Sequence, residues 1–338
     1  MPQRFQASGR KEIREKINML FSKIIQKKFD AVLGRYDGDP AIRYASVSDF
    51  PGIERQSFDV NGDKHVKLKG WFYFYGSLRP ENLIVFDHGI GAGHLNYLPE
   101  IEFLAKNGYT VYSYDHTGCV STGGSGILGF AQGVNDLDCV LTAIQQNPQF
   151  SNVPRKLIGH SWGGYAVMNV SALHPEVTHI VSLAGFLSAR SLIEQYIPKV
   201  FLKYSEEVME RERRNNPKYA DMDARESLLK SQANLLHLQS KDDTKVKFEL
   251  SYIPLSEALK DRKNTELIAL DRRNHDPQRT PEAASANMAM LQELDRKRKK
   301  KQLSSLSQQK AFQEAFDWNL ISQQDTESWN TILTFLQK

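Results

Sequence analysis

The chain has 338 residues, of which 40% are hydrophobic and 25% are charged. A chain of this length can bury a sizeable core, and the composition is that of a folded globular protein, which excludes a largely disordered one. The net charge of +4, from 44 basic and 40 acidic residues, is too balanced for a dedicated nucleic-acid-binding surface, so we expect no nucleic-acid partner.

Cysteine usage and apolar runs predict the compartment. Only two cysteines are present, Cys119 and Cys139, which fits a reducing compartment better than a secreted, disulfide-rich scaffold. Residues 1–10 lack the apolar core of a signal peptide. No stretch reaches the ~18 apolar residues of a membrane span. We therefore expect a cytoplasmic protein with no stable membrane insertion.

The first predicted element is an amphipathic helix within residues 11–34. Apolar side chains recur there at helical spacing, with lysines on the other face. The apolar positions are Ile13, Ile17, Leu20, Phe21, Ile24, Ile25, Phe29, Val32 and Leu33. A basic amphipathic helix can lie on a membrane surface. More commonly such a helix packs against its own domain, and we expect that arrangement here.

A β-rich segment follows, and then short strands alternate with helices. Two runs, 53–60 and 66–75, joined through Asn61-Gly62, predict a β-hairpin. From residue 83 the pattern predicts strands at 83–86, 110–114, 156–158, 180–183, 235–238 and 267–270, and helices at 97–106, 130–144 and 164–173. Such alternation requires crossover connections, so it predicts an α/β fold whose mostly parallel sheet is flanked by helices.

Two later segments depart from this alternation. Residues 185–232 are too long for a loop and lack strand character, which predicts a helical insertion. Arg296–Lys301 is a basic run within a helix predicted from Pro281 onward. Because the total charge is balanced, we interpret this run as a solvated helix face rather than a site for nucleic acid or anionic lipid. A closing amphipathic helix is predicted at 329–336.

The strongest chemical signal is the run Gly159-His160-Ser161-Trp162-Gly163-Gly164. It lies between a predicted strand and a predicted helix. A Gly-x-Ser-x-Gly turn in this context forces the serine into a strained backbone conformation and exposes its hydroxyl as a nucleophile. Gly159 and Gly163 are needed because a Cβ at either position would collide with the strand or the helix. Ser161 is therefore the predicted nucleophile.

A serine nucleophile requires a base and a carboxylate that orients the base. His275 follows the last predicted strand and is the candidate base. Asp242 and Asp243 both follow the preceding strand, and we favour Asp243 because its offset from the strand end directs it inward. The other eight histidines are expected to be structural, although His88 and His116 lie at strand ends where they could line the pocket.

Two backbone N–H groups are expected to form the oxyanion hole. One belongs to Trp162, at a helix N-terminus whose dipole favours negative charge. The other belongs to Ile90, within the run His88-Gly89-Ile90-Gly91 that follows an earlier strand. Gly89 and Gly91 permit close approach of the backbone to a ligand. An ordinary strand-to-helix turn is the alternative interpretation of these glycines.

The order Ser161, Asp243, His275, with His-Gly-x-Gly upstream, resembles the α/β-hydrolase superfamily across residues 83–277. The resemblance implies an eight-stranded, mostly parallel sheet with a helical lid inserted after the sixth strand. The resulting expected domains are an N-terminal helical extension (1–50), a hydrolase core (51–184 and 233–338) and the lid (185–232). Asp115-His116-Thr117-Gly118 also looks like an Asp-x-x-Gly turn that many members carry.

The nucleophile narrows the expected chemistry. Haloalkane dehalogenases and epoxide hydrolases of this fold use aspartate, so a serine argues against both. Esterases, lipases, thioesterases, serine aminopeptidases and acyltransferases remain, and all proceed through an acyl-enzyme. An aminopeptidase must bind an ammonium group, but the candidate carboxylates of the insertion resemble a solvated helix face paired with arginines; they are Glu206, Glu207, Glu210 and Glu212.

We therefore expect a serine esterase that cleaves small-molecule esters with a small or apolar acyl group. No metal and no cofactor are required for this chemistry. A serine aminopeptidase of the same fold and a non-catalytic binding protein remain the alternatives. The sequence does not predict an oligomeric state.

Overall fold

The computed structural model describes residues 3–91 and 93–338, with side chains from residue 18 onward. Nine strands in these residues form one sheet. They are β1 (Ile53–Ser57), β2 (Val60–Asn61), β3 (Lys67–Tyr75), β4 (Leu83–Asp87), β5 (Thr110–Asp115), β6 (Arg155–His160), β7 (Val177–Leu183), β8 (Asn234–Ser240) and β9 (Thr265–Leu270). The order across the sheet is β1-β3-β5-β4-β6-β7-β8-β9, and the two-residue β2 pairs with β3 beside this path.

The sheet is mostly parallel, as predicted. The six strands from β5 to β9 along the sheet order pair in parallel, whereas β1, β2 and β3 pair antiparallel at one edge. Every residue of β4 and β5 is buried, and β4 accordingly begins with a continuous apolar run, Leu83–Phe86, rather than an alternating one. Because parallel strands end at the same edge, the loops after β4, β6, β8 and β9 meet there.

The predicted hairpin is present, and its turn is longer than the Asn61-Gly62 step alone. Asn61 pairs with Lys67 as part of the ladder, and the chain reverses over 62–66, where the Gly62 N–H donates to the Val66 carbonyl at 2.8 Å. Lys64 adopts a left-handed conformation with φ 52° in this longer turn. A lysine at positive φ is uncommon, so local propensity did not reveal the turn.

Helices cover both faces of the sheet. The described residues form α1 (Gln3–Val32), α2 (Leu98–Lys106), α3 (Gln132–Gln146), α4 (Trp162–Val170), α5 (Ala189–Tyr196), α6 (Ser205–Asn215), α7 (Ala224–Lys230), α8 (Tyr252–Ala258), α9 (Pro281–Lys299), α10 (Leu306–Glu314), α11 (Trp318–Ile321) and α12 (Thr326–Leu336). One core holds α3 and α4 against one face, and a second holds α2 and α12 against the other. A smaller cluster joins α9, α10 and α11.

The chain between β7 and β8 is helical, and it contacts the N-terminal helix. α5, α6 and α7 all lie within 185–232, joined by a 3₁₀ segment at Lys199–Tyr204. Phe29 and Ile25 of α1 are buried in the main core, and Asp30 forms an ion pair with Arg211 of α6. Part of α1 therefore packs against its own domain. The predicted apolar positions Ile13 and Ile17 lie outside the described side chains.

Two further predictions concern cysteines and membranes. Cys119 and Cys139 are both free thiols, and Cys119 is buried. Among residues 3–91 and 93–338, no helix combines the length and apolarity that crossing a bilayer demands.

Candidate active site

The predicted nucleophile turn joins β6 to α4. Ser161 has φ 56° and ψ −108°, a sparsely populated conformation that costs about 1–3 kcal/mol. A Cβ on Gly159 would lie 2.2 Å from the carbonyl oxygen of Gly163, and a Cβ on Gly163 would lie 2.1 Å from the carbonyl oxygen of Asp87. The two glycines therefore let the turn close against the end of β4.

Three polar side chains from separate loops meet at this turn. Nε2 of His275 lies 2.8 Å from Oγ of Ser161, and Nδ1 of the same ring lies 2.8 Å from Oδ2 of Asp243. The Asp243 side chain is fully buried, whereas that of His275 is 17% exposed. The loops after β6, β8 and β9 thus bring together the three residues that the order along the chain singled out.

The Asp243 carboxylate is held in one orientation. Its Oδ1 accepts the backbone N–H groups of Lys245 at 2.8 Å and Val246 at 3.0 Å. Oδ2 is left to face His275, and because a carboxylate only accepts, Nδ1 carries the proton and Nε2 is free to accept the Ser161 hydroxyl. Asp242 is exposed and instead accepts the Asn274 N–H at 3.2 Å.

The two predicted oxyanion donors lie on the loops that flank Ser161. Trp162 is the first residue of α4, and N–H groups of a first helical turn have no acceptor within the helix. Ile90 lies in the loop after β4. Its neighbour Gly89 approaches the nucleophile so closely that a Cβ there would lie 3.3 Å from Cβ of Ser161. Gly91 has φ 146°, a conformation that glycine adopts without strain.

His88 fixes the peptide group that carries the Ile90 N–H. Its Nδ1 lies 2.7 Å from the Gly89 carbonyl oxygen, and its Nε2 lies 3.1 Å from the backbone nitrogen of His116. Since the carbonyl only accepts, Nδ1 donates and Nε2 accepts, and burial lowers the pKa of His88 to about 4, so the ring is neutral. In a trans peptide the C=O and N–H point in opposite directions, so the Ile90 N–H is directed away from His88.

A chain of hydrogen bonds links this loop to the loop that carries the base. The Gly89 N–H donates to the Tyr97 oxygen at 3.2 Å, the Tyr97 hydroxyl to Nδ1 of His160 at 2.8 Å, and Nε2 of His160 to the His275 carbonyl oxygen at 2.7 Å. Burial and the adjacent His275 ring lower the pKa of His160 to about 4. Because the His160 ring is neutral, it has one donor and one acceptor, so each of these hydrogen bonds has a single direction. We call this series of hydrogen bonds the Tyr97–His160 chain.

Sequence reasoning did not identify the Tyr97–His160 chain. We expected a structural role for His160, and its ring packs against that of His275 with centroids 4.9 Å apart. Tyr97 lies just before α2 and is buried, but nothing in the local pattern distinguishes it from other core tyrosines. Its contacts depend on how β4, β6 and β9 are arranged in the sheet, which local patterns do not encode.

A cluster of buried charged side chains packs beside the loop after β4, which carries Ile90. Nε2 of His116 lies 2.6 Å from Oδ1 of Asp87, and Nδ1 lies 3.2 Å from Oδ2 of Asp136. Burial alone would lower the pKa of His116, but the two carboxylates raise it to about 10. The ring also packs on the Trp162 indole, with centroids 4.5 Å apart. His116 and His88 are both fully buried. They therefore support the loop after β4 from inside the protein and do not line an open pocket.

The glutamates of the insertion are largely engaged away from the nucleophile. Glu206 forms ion pairs with Arg190 and Arg213, and Glu207 accepts hydrogen bonds from α1. The buried Glu212 accepts the N–H groups of two residues just before α3. Within the described part of the chain, no group of three or more His, Cys, Asp or Glu side chains is arranged to hold a metal ion.

Solved structures share this fold at low sequence identity. An esterase from Pyrococcus furiosus is 18% identical, with a TM-score of 0.56 over 84% of this chain and 99% of that one. A putative dienelactone hydrolase from Klebsiella pneumoniae is 13% identical, with a TM-score of 0.52 over 85% and 99%. An acylaminoacyl peptidase from Pyrococcus horikoshii is 18% identical, with a TM-score of 0.52, covering 68% of this chain but 38% of that one.

Sequence comparison identifies the family. No curated protein matches the chain significantly. The sequence profile of the family described as "Serine aminopeptidase, S33" matches residues 79–263, which is more than half of the chain and includes the nucleophile turn and the Asp243 loop. The fold, the site geometry and this match lead to one conclusion: the chain is a serine hydrolase of the α/β-hydrolase superfamily and belongs to the S33 serine aminopeptidase family.

Proposed function

We propose that this protein hydrolyses carboxylic esters of small or apolar acyl groups through an acyl-enzyme intermediate. The observation that carries the proposal is the continuous contact from Asp243 through His275 to Ser161, with 2.8 Å at each step. This is the geometry in which an imidazole can take a proton from a serine hydroxyl while a carboxylate holds its tautomer.

The proposed reaction has two halves. The Ser161 oxygen attacks the ester carbonyl as His275 takes its proton, and the backbone N–H groups of Trp162 and Ile90 stabilise the oxyanion. The protonated His275 then gives the proton to the leaving alcohol. In the second half, His275 takes a proton from water, the resulting hydroxide attacks the acyl-enzyme, and collapse of the second tetrahedral intermediate returns the proton to Ser161 as the acid leaves.

The insertion supports an esterase over an aminopeptidase. An aminopeptidase needs a carboxylate available for the substrate ammonium, but three of the four candidates, Glu206, Glu207 and Glu212, already bind arginines, α1 and the start of α3. The fourth, Glu210, is exposed on α6, as expected of a solvated helix face. We propose that the helices within 185–232 act as a lid over a core formed by 51–184 and 233–338, with 1–50 as a helical extension.

The two free thiols fit a protein of a reducing compartment such as the cytoplasm.

A substrate panel tests the proposal. Wild type and Ser161→Ala should be assayed with p-nitrophenyl esters of graded chain length and with aminoacyl p-nitroanilides that carry a free amine. We expect kcat/KM on the best ester to exceed that on the best anilide by about 100-fold or more, and to fall to background in Ser161→Ala. Preference for the anilides would establish the aminopeptidase alternative. Inertness toward both classes would favour a non-catalytic binding protein.

A further inference from the structure

Exposed apolar side chains form a patch shared by α1 and the insertion. Ile24 is 54% exposed and Val200 is 78% exposed, and the other members are Leu20, Tyr196 and Leu202. The two segments are in contact, because the rings of Phe21 and Phe201 lie 4.6 Å apart and Lys28 lies 5.9 Å over the Tyr196 ring. We call this set the apolar patch. Apolar side chains exposed together on two segments that are in contact are typical of a binding site rather than of scattered exposure.

Lysines accompany the apolar patch along both segments. Five exposed lysines lie on the same two segments: Lys23, Lys27, Lys28, Lys199 and Lys203. The first 30 residues contain eight basic and three acidic residues, a net +5, whereas the whole chain is net +4, which leaves the other 308 residues at net −1. The positive excess of the protein is therefore concentrated at this end. Nearby carboxylates are already occupied, since Asp30 pairs with Arg211 and Glu206 pairs with Arg190 and Arg213.

The apolar patch adjoins the loop that carries the triad carboxylate. The Tyr196 hydroxyl and Nε2 of Gln195 both donate to the Lys245 carbonyl oxygen at 2.8 Å. The Lys245 N–H in turn donates to Oδ1 of Asp243 at 2.8 Å. Lys245 therefore contacts both Tyr196 of the apolar patch and Asp243. Because the apolar patch includes residues of the proposed lid, whatever binds it contacts the lid directly.

We propose that the apolar patch docks this protein onto an anionic lipid surface and that its ester substrate is drawn from that surface. The second part of this inference, that the substrate comes from the lipid surface, rests on the proposed function. Exposed apolar side chains on segments that also carry exposed lysines match an interface of acyl chains beneath anionic headgroups. A second copy of the chain is disfavoured as the occupant, because a two-fold interface pairs each patch with itself and brings lysines against lysines.

Vesicle sedimentation tests the docking directly. The full chain is mixed at low salt with vesicles of phosphatidylcholine alone or with about one third phosphatidylglycerol. We expect binding only to the anionic vesicles and its loss at high salt. Lys23→Gln with Lys27→Gln should weaken binding about 25-fold, at about fivefold per lysine. Leu20→Ser with Ile24→Ser, both on α1 and outside the proposed lid, should weaken it about tenfold or more through lost apolar burial.

Matched variants on other surfaces control for general effects of charge and exposure. Leu306→Ser removes a side chain that is 83% exposed on α10, and Lys299→Gln with Lys300→Gln removes two of the six positive charges of the basic run at the end of α9. Neither should change binding. Absence of binding to anionic vesicles, or equal losses in these controls, would overturn the docking surface. So would a dimer in sedimentation velocity that Ile24→Ser dissociates.

Hydrolysis separates this inference from the proposed function. All patch variants should hydrolyse p-nitrophenyl acetate in solution at the wild-type rate but cleave a vesicle-embedded acyl ester about tenfold more slowly. A wild-type protein that cleaves the water-soluble ester but does not bind vesicles refutes the docking alone. Vesicle binding without cleavage of any ester supports the docking. The same result refutes the proposed function, and with it the inference that the substrate comes from the lipid surface.

Discussion

Replacement of Tyr97 by Phe removes the central oxygen of the Tyr97–His160 chain. The residue is 5% exposed, and its hydroxyl accepts from the Gly89 N–H at 3.2 Å and donates to His160 at 2.8 Å. The variant leaves one buried donor and one buried acceptor without partners, at about 1–3 kcal/mol each. Because Phe retains the ring contacts, only these two groups contribute, and we expect the free energy of unfolding to fall by about 2–6 kcal/mol.

The same variant should slow turnover more than it weakens substrate binding. Gly89 adjoins Ile90, whose N–H is proposed to bind the oxyanion only as it forms, so loosening this loop affects the transition state. A shift of the donors by a few tenths of an ångström to 1 Å should lower kcat for p-nitrophenyl acetate about 10–100-fold, while KM changes about threefold at most. Steady-state kinetics and urea denaturation on the same preparations supply both quantities.

Tyr75→Phe is the matched control. The Tyr75 hydroxyl donates to Glu102 at 2.9 Å, on the opposite part of the sheet from the nucleophile. Its loss should reduce stability without changing kcat. If Tyr97→Phe instead lost stability but kept the wild-type kcat, the Tyr97–His160 chain would contribute to stability only. Its proposed role in positioning the Ile90 N–H would then be refuted.

Three further predictions concern the triad, the turn and pH. Asp243→Asn should lower kcat about 10³–10⁴-fold, whereas Asp242→Asn should leave it within about threefold in the same ester assay. Gly163→Ala should destabilise the fold by several kcal/mol or prevent folding, because its Cβ would lie 2.1 Å from a backbone oxygen, whereas Gly123→Ala meets nothing within 4 Å and should be near neutral by urea denaturation. Burial lowers the pKa of His237 to about 4, so the unfolded chain binds more protons than the folded one between pH 4 and 6.5. The free energy of unfolding should therefore decrease as the pH is lowered from 6.5 to 4, and His237→Gln should flatten this slope by about one proton; an unchanged slope would contradict the assignment.

Much of the site was predictable because its requirements are local. The Gly-x-Ser-x-Gly turn is a steric demand on consecutive residues, and the distances to Gly163 and Asp87 reproduce that demand. The preference for Asp243 over Asp242 followed from strand offset, and Asp243 is the residue in contact with His275. Motif order, rather than any single residue, directed attention to these loops.

The contacts of the residues that surround the triad could not be predicted, because they depend on the tertiary arrangement. The contacts of Tyr97 and His160 join segments from β4, β6 and β9, and their sequence spacing carries no periodic signal. His116 was expected near the pocket, but Asp87 and Asp136 hold it buried beneath the loop. The conformation of the hairpin turn was not predictable for a different reason, since Lys64 adopts a positive φ that its own propensity disfavours.

Covalent labelling of Ser161 tests the central claim most directly. A fluorophosphonate reacts with a serine only when a base activates the hydroxyl and donors stabilise the adduct, so intact-mass and peptide-mass analysis read out the whole arrangement at once. We predict one rapid adduct per chain, located on Ser161, absent in Ser161→Ala and strongly slowed in His275→Ala. A folded wild-type protein that remains unlabelled, or that is labelled equally fast without His275, would contradict the account.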